Sequence, residues 1–390
     1  MSRFLFLRSK AVLILAWLST ALLVLVAASF AYGRNASSSF IPASLAYHGH
    51  APLSGSCPPA SPPASLPASS TPSPASPPAS SATPTEPSNA PGLAKAVTPA
   101  ELLCRPPASN PAAVPKLFHQ SWKTNSLPAK FQRWSDSCRE AHPDWEWVLW
   151  TDDDNLRLVK EHFPWLEETY LGLPGPIYRA DLARNLYMYK FGGVYADLDT
   201  ECLLDTTDGL KAYDVDFSDS SNVTSHEATN TTKVAIFGRM GSDATFEQSI
   251  PNAWMAASPA HPFFLRPLEF AHNELDKSNN FFYKLLFKTP NAEHITGPIA
   301  LRKTILAYES SGDEDEIILL PGRLVYPYNW YEPGSFHDVC SAEQDTFDDA
   351  RCKGLLGVKQ KKSISITYWS HTHKGKGSNK HNIELISSDK

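Results

Sequence analysis

Charge is scarce in this chain: Asp, Glu, Lys and Arg make up 19% of 390 residues, against a usual ~25%. The formal net charge is -6, and no long basic run opposes it. A protein whose work is to coat nucleic acid is thereby excluded. None of the six cysteines forms a Cys-x-x-Cys pair, so nothing marks a zinc or dithiol redox site. No internal repeat is found, which excludes solenoids and propellers. What the chain has in excess is proline, 33 of 390 residues, against ~5% in ordinary proteins. Ten Trp, 14 Tyr and 19 Phe suffice for a sizeable core, so the proline must be concentrated locally.

Arg3, Arg8 and Lys10 precede Ala11–Phe30, twenty residues without a charge. A helix of that length spans ~30 Å, the thickness of a bilayer's hydrocarbon core. A cleaved signal peptide is the alternative, because Ser29-Phe30-Ala31 loosely resembles a cleavage site; its apolar region is usually only ~7–15 residues. We therefore expect residues 1–34 to form a cytoplasmic tail and a retained anchor. The basic residues on the N-terminal side place the remainder across the membrane, the type II orientation. Between Asn35 and Ala100 the only charged residues are Glu86 and Lys95, and Pro, Ser, Ala and Thr dominate. Residues 35–113 read as a stem that cannot offset its ordering entropy. It suits O-glycosylation, and serves as a spacer rather than a ligand for proline-reading domains.

From Val114 to Lys390 apolar residues and both charges are mixed, as in one large α/β domain. Strands are expected at 116–122, 145–151, 194–197 and 234–239. Helices are expected at 128–141, 155–163, 177–189, 262–276 and 298–308. The alternation implies a mostly parallel sheet. Six cysteines, an even number, and the sequons at Asn35, Asn222 and Asn230 agree with an extracytoplasmic compartment. Cys340 and Cys352 flank an acidic loop and are expected to pair.

The chemistry is concentrated at residues 177–202, IYRADLARNLYMYKFGGVYADLDTEC. Asp197 and Asp199, two apart on a strand, would share one side. Two such carboxylates repel unless a cation or proton lies between them. Oxygen ligands of this kind suit Mg²⁺ or Mn²⁺, which in turn would hold a diphosphate. On the preceding helix Asp181 and Arg184 are three apart and share a face. A solvated surface pair is the bland reading, but Leu182, Leu186, Tyr187, Met188 and Tyr189 mark the helix as buried. Gly192-Gly193 returns the chain sharply, so that helix and Asp pair can line one pocket. Asp152-Asp153-Asp154 also contains Asp-x-Asp, but sits where a helix begins and reads as capping. Asp313–Glu316 reads as a solvated loop.

This block resembles the sugar-binding region of glycosyltransferase family 32, the fungal Golgi mannosyltransferase type. Its pattern of Asp, Arg three later, Gly-Gly-x-Tyr and Asp-x-Asp is matched by Asp181, Arg184, Gly192, Gly193, Tyr195, Asp197 and Asp199. Residues 114–123, VPKLFHQSWK, resemble the start of the family's catalytic domain. Asn252, Met255 and His261-Pro262 resemble a further segment. The resemblance implies a GT-A α/β fold and metal-dependent, retaining transfer from a nucleoside-diphosphate sugar, with GDP-mannose the favoured donor. It implies Asp199 as main metal ligand, with Asp197 on the ribose or on the metal through water. It implies Asp181 and Arg184 on the donor sugar, Tyr195 beside the nucleotide, and His119, Gln120 and Trp122 near the base. Asn252, Trp254 and Met255 suit either an acceptor site or the core.

The match frays near the C-terminus, where the family has a His-x-Trp segment whose His completes the metal site. Aligning Trp369 puts Thr367 at the His position, and His371 is the substitute. His371 and His373 can equally be exposed residues beside Lys374 and Lys376. A cationic tail there could also close over a pyrophosphate. The expectation is a Golgi enzyme acting on a glycan, sphingolipid or wall polysaccharide. The alternatives are a catalytically silent carbohydrate-binding protein or a mucin-like structural membrane protein.

Overall fold

The computed structural model describes residues 40–42, 92–106, 111–219, 232–287, 290–312, 315–332, 334 and 336–370. The expected anchor at 11–30, most of the stem, the three sequons and His371 lie outside the described residues. Among the described residues no helix is long and apolar enough to cross a membrane.

The chain divides into two compact units. The smaller takes 276–289 with 1–48, and its described helix is Phe281–Leu286. The larger takes 49–275 and 290–390 and holds every element below. Its strands are β1 Lys95–Ala96, β2 Val114–Pro115, β3 Leu117–Ser121, β4 Glu146–Trp150, β5 Gly193–Ala196, β6 Thr200–Cys202, β7 Phe217–Ser218, β8 Val234–Gly238, β9 Trp254–Ala257, β10 Glu316–Leu320 and β11 Ser365–Thr367.

Seven strands form one sheet in the order β1-β4-β3-β5-β9-β8-β10. β9 runs antiparallel to both neighbours; every other pairing is parallel. The mostly parallel α/β sheet expected from the sequence is therefore present. Such a sheet is covered on both faces, which is why its central strands β5, β8 and β9 are apolar and buried along their length rather than alternating. β8 and β9 are wholly buried. Trp134, Trp145, Trp150, Trp254, Tyr187 and Phe118 are among the largest fully buried side chains.

Three sequence expectations are corrected. The fold reaches upstream of 114, into the segment assigned to the stem. β1 pairs in parallel with β4, and the helix Pro99–Leu103 is closed by a Thr98/Glu101 capping box. Ordinary apolar and capping residues, not proline content, decide the order there. The helix expected from Asn155 begins at Asp152, with Thr151 as its cap, so the acidic triplet is the helix's first turn, where carboxylates favour the macrodipole. The Asp pair is not on a strand: β5 ends at Ala196, and residues 197–199 turn the chain into β6. Leu198 is buried between two half-buried aspartates, and the two carboxylates are close enough for the charge of Asp199 to act on Asp197.

The Cys340–Cys352 disulfide is formed. A second, Cys138–Cys202, joins the helix Ala129–Ala141 to β6 across 64 positions.

Candidate active site

β5 emerges from the helix Pro176–Phe191 through Gly192 and Gly193. Both glycines have positive φ, 65° and 91°. A Cβ on Gly193 would lie 2.3 Å from the Leu117 carbonyl oxygen, and one on Gly192 2.7 Å from the Ala257 oxygen. No side chain fits there. The turn sets β5 directly beside β3 and leads the chain to Asp197. There the C-terminal ends of β3, β4 and β5 meet the start of β9, as the Asp197 N–H donating to the Ala253 carbonyl at 2.8 Å shows. That edge is where open α/β sheets bind ligands.

Arg184 is the centre of the cluster. One guanidinium nitrogen lies 3.0 Å from Asp181 Oδ1, the other 3.1 Å from Asp197 Oδ1. The latter also donates to the Asn252 carbonyl at 2.6 Å. Asn252 Nδ2 donates to Asp181 Oδ1 at 2.9 Å. The guanidinium stands 4.8 Å over the Tyr195 ring, and Tyr195 O–H donates to Asp197 Oδ1 at 2.6 Å. Asp181, Arg184, Tyr195 and Asn252 are buried, whereas 31% of the Asp197 side chain remains exposed. Desolvation on its own would pull the Arg184 guanidinium down, but the charges around it, Asp197 first and then Tyr195 and Asp181, raise it above its usual range, so it stays protonated. The Asp197 carboxyl is held above its usual range chiefly by desolvation, against the pull of Arg184 and with the push of Asp199. Asp199 is raised too, again by desolvation first.

Asp199 is held from the far end of the chain. β11 pairs antiparallel with β6, the Tyr368 N–H donates to the Asp199 carbonyl at 2.9 Å, and Ser370 donates to Asp199 Oδ2 from both its amide and its hydroxyl. Tyr368 also donates to Glu201, which pairs with Lys353.

No other described residue donates to Asp197 Oδ2 or Asp199 Oδ1, although the Asp199 carboxylate also takes the N–H of its own backbone. Two mutually repelling carboxylates so placed would fit a hard divalent cation that completes its shell from phosphate oxygens and water. Among the described residues no group of three or more His, Cys, Asp or Glu assembles for a metal. His371, the expected third ligand, lies outside them.

Three expected nucleotide contacts divide. Trp122 follows β3 at the same edge as the Asp pair, half-buried, its ring edge-on to Phe131 at 5.1 Å. His119 and Gln120 are core residues. His119 accepts from Trp150 Nε1 at 3.0 Å, donates to the Gly192 carbonyl at 3.0 Å, and stacks on Tyr187. Desolvation pushes it down to about 3, so it stays neutral. Gln120, on the opposite face, accepts from Ser135 and Trp147. Strand alternation sends both side chains into packed layers rather than to the edge. Tyr195 is likewise beneath the site, bracing Asp197. The sequence leaves Asn252 between acceptor lining and core; the structure makes it the link between Asp181 and Arg184. Ser370 and Lys130 escaped the sequence reading, since one serine and one helix lysine carry no motif.

The site is thus a buried arginine clamped between an aspartate of its own helix and the first aspartate of an Asp-x-Asp turn. Residues 128–216 match the profile described as glycosyltransferase sugar-binding region containing DXD motif, so the resemblance to glycosyltransferase family 32 is borne out over that block. The chain is 45% identical over 91 residues to inositol phosphoceramide mannosyltransferase 3 of Schizosaccharomyces pombe, covering 23% of this chain and 26% of that protein. It is 30% identical over 161 residues to mannosyl phosphorylinositol ceramide synthase CSH1 of Saccharomyces cerevisiae, covering 41% and 36%. It is 28% identical over 198 residues to inositol phosphoceramide mannosyltransferase 1 of S. pombe, covering 50% and 52%. These matches span from about a quarter to about half of the relatives' length.

Proposed function

We propose that this chain is a glycosyltransferase of the GT-A type, moving mannose from a nucleoside-diphosphate donor, GDP-mannose in the first instance, to an inositol-phosphate sphingolipid. The observation that carries the reading is the Arg184 clamp: one guanidinium bonded to both Asp181 and Asp197 directly behind the Asp-x-Asp turn. A structural protein has no need of buried charges in that arrangement, which costs desolvation. The names of the three relatives supply the mannosyl group and the lipid class.

Asp197 and Asp199 would hold Mn²⁺ or Mg²⁺, which supplies charge neutralisation for a departing nucleoside diphosphate. Arg184 fixes the first carboxylate and Ser370 the second, so the pair is positioned before any ligand arrives. Trp122 offers the base a flat surface at the sheet edge. Asp181 and Asp197 are both committed to Arg184, which makes either a poor nucleophile. Same-face attack by the acceptor hydroxyl, its proton passing to the leaving phosphate, is therefore the mechanism proposed, and the product retains its anomeric configuration. The uncharged run Ala11–Phe30 with its N-terminal basic residues supports a type II anchor and a lumenal, Golgi site of action.

The test is a donor screen on the full-length protein with inositol phosphoceramide as acceptor and Mn²⁺, Mg²⁺ or a chelator present. Transfer from GDP-mannose that needs the cation and is lost in Asp199→Ala is the expected result. Transfer from a UDP-sugar alone would refute the donor, and glycan binding without release of nucleoside diphosphate would refute the enzyme.

A further inference from the structure

Lys130 lies in the first turn of the helix Ala129–Ala141 with only 2% of its surface exposed. Its amine donates to the Ala342 carbonyl at 3.0 Å. It sits 5.4 Å from the Trp134 ring and 5.5 Å from Phe347. No carboxylate lies within ion-pair distance among the described residues, and that one hydrogen bond uses one of three N–H donors. A buried ammonium in this state is expensive unless something anionic completes it. Desolvation draws its pKa down to about 8, opposed by the fields of Asp199 and Glu343.

Its place relative to the Asp pair is set by two backbone steps. The Ala342 N–H donates to the Tyr368 carbonyl at 3.0 Å, and the Tyr368 N–H donates to the Asp199 carbonyl. Tyr368 stacks on Trp134, one turn along from Lys130, at 5.0 Å. The Cys340–Cys352 disulfide closes the loop that carries Ala342. The Asp199 carboxylate is near enough for its charge to favour the ammonium form of Lys130.

We propose that Lys130 is a second anion-binding point beside the Asp-x-Asp turn, donating to an oxygen of a phosphate-bearing ligand. This rests on the glycosyl-transfer reading above and extends it to a residue that no part of the Asp-x-Asp pattern contains. Two sources share the chemistry: the diphosphate of the donor, and the phosphodiester of the sphingolipid acceptor. The amine suits either, being a point charge with two spare donors.

The test compares full-length wild type, Lys130→Met, Lys130→Gln and Lys130→Arg. Inorganic pyrophosphate with Mn²⁺ is the binding probe, followed by calorimetry. The neutral variants should weaken pyrophosphate at least tenfold, while Lys130→Arg stays near wild type. In transfer assays a raised KM for GDP-mannose alone assigns the donor diphosphate; a raised KM for inositol phosphoceramide alone assigns the lipid phosphodiester. Wild type that binds no pyrophosphate, or a folded neutral variant matching it in pyrophosphate affinity and both KM values, overturns the proposal. Should Lys130→Met not fold, Lys130→Gln decides on the same scale. A wild type that transfers no sugar from any donor refutes the enzymatic reading instead, and the pyrophosphate arm then still reports on Lys130.

Discussion

Ser370 donates twice to one oxygen of Asp199, from its amide at 2.7 Å and from its hydroxyl at 3.0 Å. These residues are 171 positions apart. The contact keeps one carboxylate oxygen occupied, and under the proposed function the other would face the cation. Ser370→Ala removes the hydroxyl bond alone, and a hydrogen bond to a charged group is worth about 1.5–3 kcal/mol. Half-maximal activation by Mn²⁺ should then require at least roughly ten times more cation, and the melting temperature should fall by a few degrees, about 2–4 °C per kcal/mol. An unchanged Mn²⁺ titration would show that Ser370 does not orient Asp199.

Arg184→Met leaves Asp181 and the inner oxygen of Asp197 without their counter-charge. Removing one partner of a buried pair costs about 3–5 kcal/mol. We expect that loss in urea unfolding, with no detectable transfer. Adding Asp181→Asn to Arg184→Met should recover part of the stability and none of the activity. Full additivity of the two losses would mean that the pair is not coupled.

His119 supplies the clearest pH dependence. It is neutral in the folded protein, with its pKa lowered from 6.5 to about 3 by desolvation. The unfolded chain takes up a proton below about 6.5, so the stability contributed by the neutral ring is complete above that pH. It is lost progressively as pH falls toward 3. His142, also lowered by burial, acts in the same sense. Each histidine adds at most about 1.4 kcal/mol per pH unit across its window. Urea unfolding between pH 7 and pH 4 should show this slope, and His119→Gln should reduce it by one proton's worth.

The Cys138–Cys202 bridge closes a loop of 64 positions and Cys340–Cys352 one of 12. On the loop-entropy relation these are worth about 4 and about 3 kcal/mol. Replacing the first pair by serine should therefore lower the unfolding free energy more than replacing the second. The reverse order would mean that native contacts, not loop length, set the cost.

Gly193→Ala should abolish folding outright, because the added carbon would press on the Leu117 carbonyl where β5 joins β3. Soluble, cooperatively unfolding protein from that variant would contradict the turn geometry described here.

The strands and helices that carry the site were readable because β4, β8 and the helix Pro176–Phe191 have strong apolar patterns bounded by glycine or proline. Asp181, Arg184, Asp197 and Asp199 were readable because their spacing is local and unusual. His119 and Gln120 were misplaced for a physical reason: a histidine and a glutamine inside a recognisable motif look like ligand contacts. Only the pairing of β3 with β4 and β5 shows that their side chains are enclosed. The Asp pair's turn was read as a strand continuation, since nothing in Ala196-Asp197-Leu198 breaks the apolar run by itself. Contacts between distant segments, Ser370 with Asp199 and Lys130 with Ala342, leave no trace in local sequence, because each is fixed by β11 lying against β6.

That last pairing orders events during synthesis. Arg184 can close on Asp181 while the ribosome is still far upstream of β11, but Asp199 lacks its hydroxyl and amide donors until position 370 has emerged. A chain truncated before β11 would lose both Ser370 donors to Asp199 together with the buried Ile366 and Tyr368 side chains, so one of the two acidic residues would be left unfastened at the same stroke that thins the core beneath it.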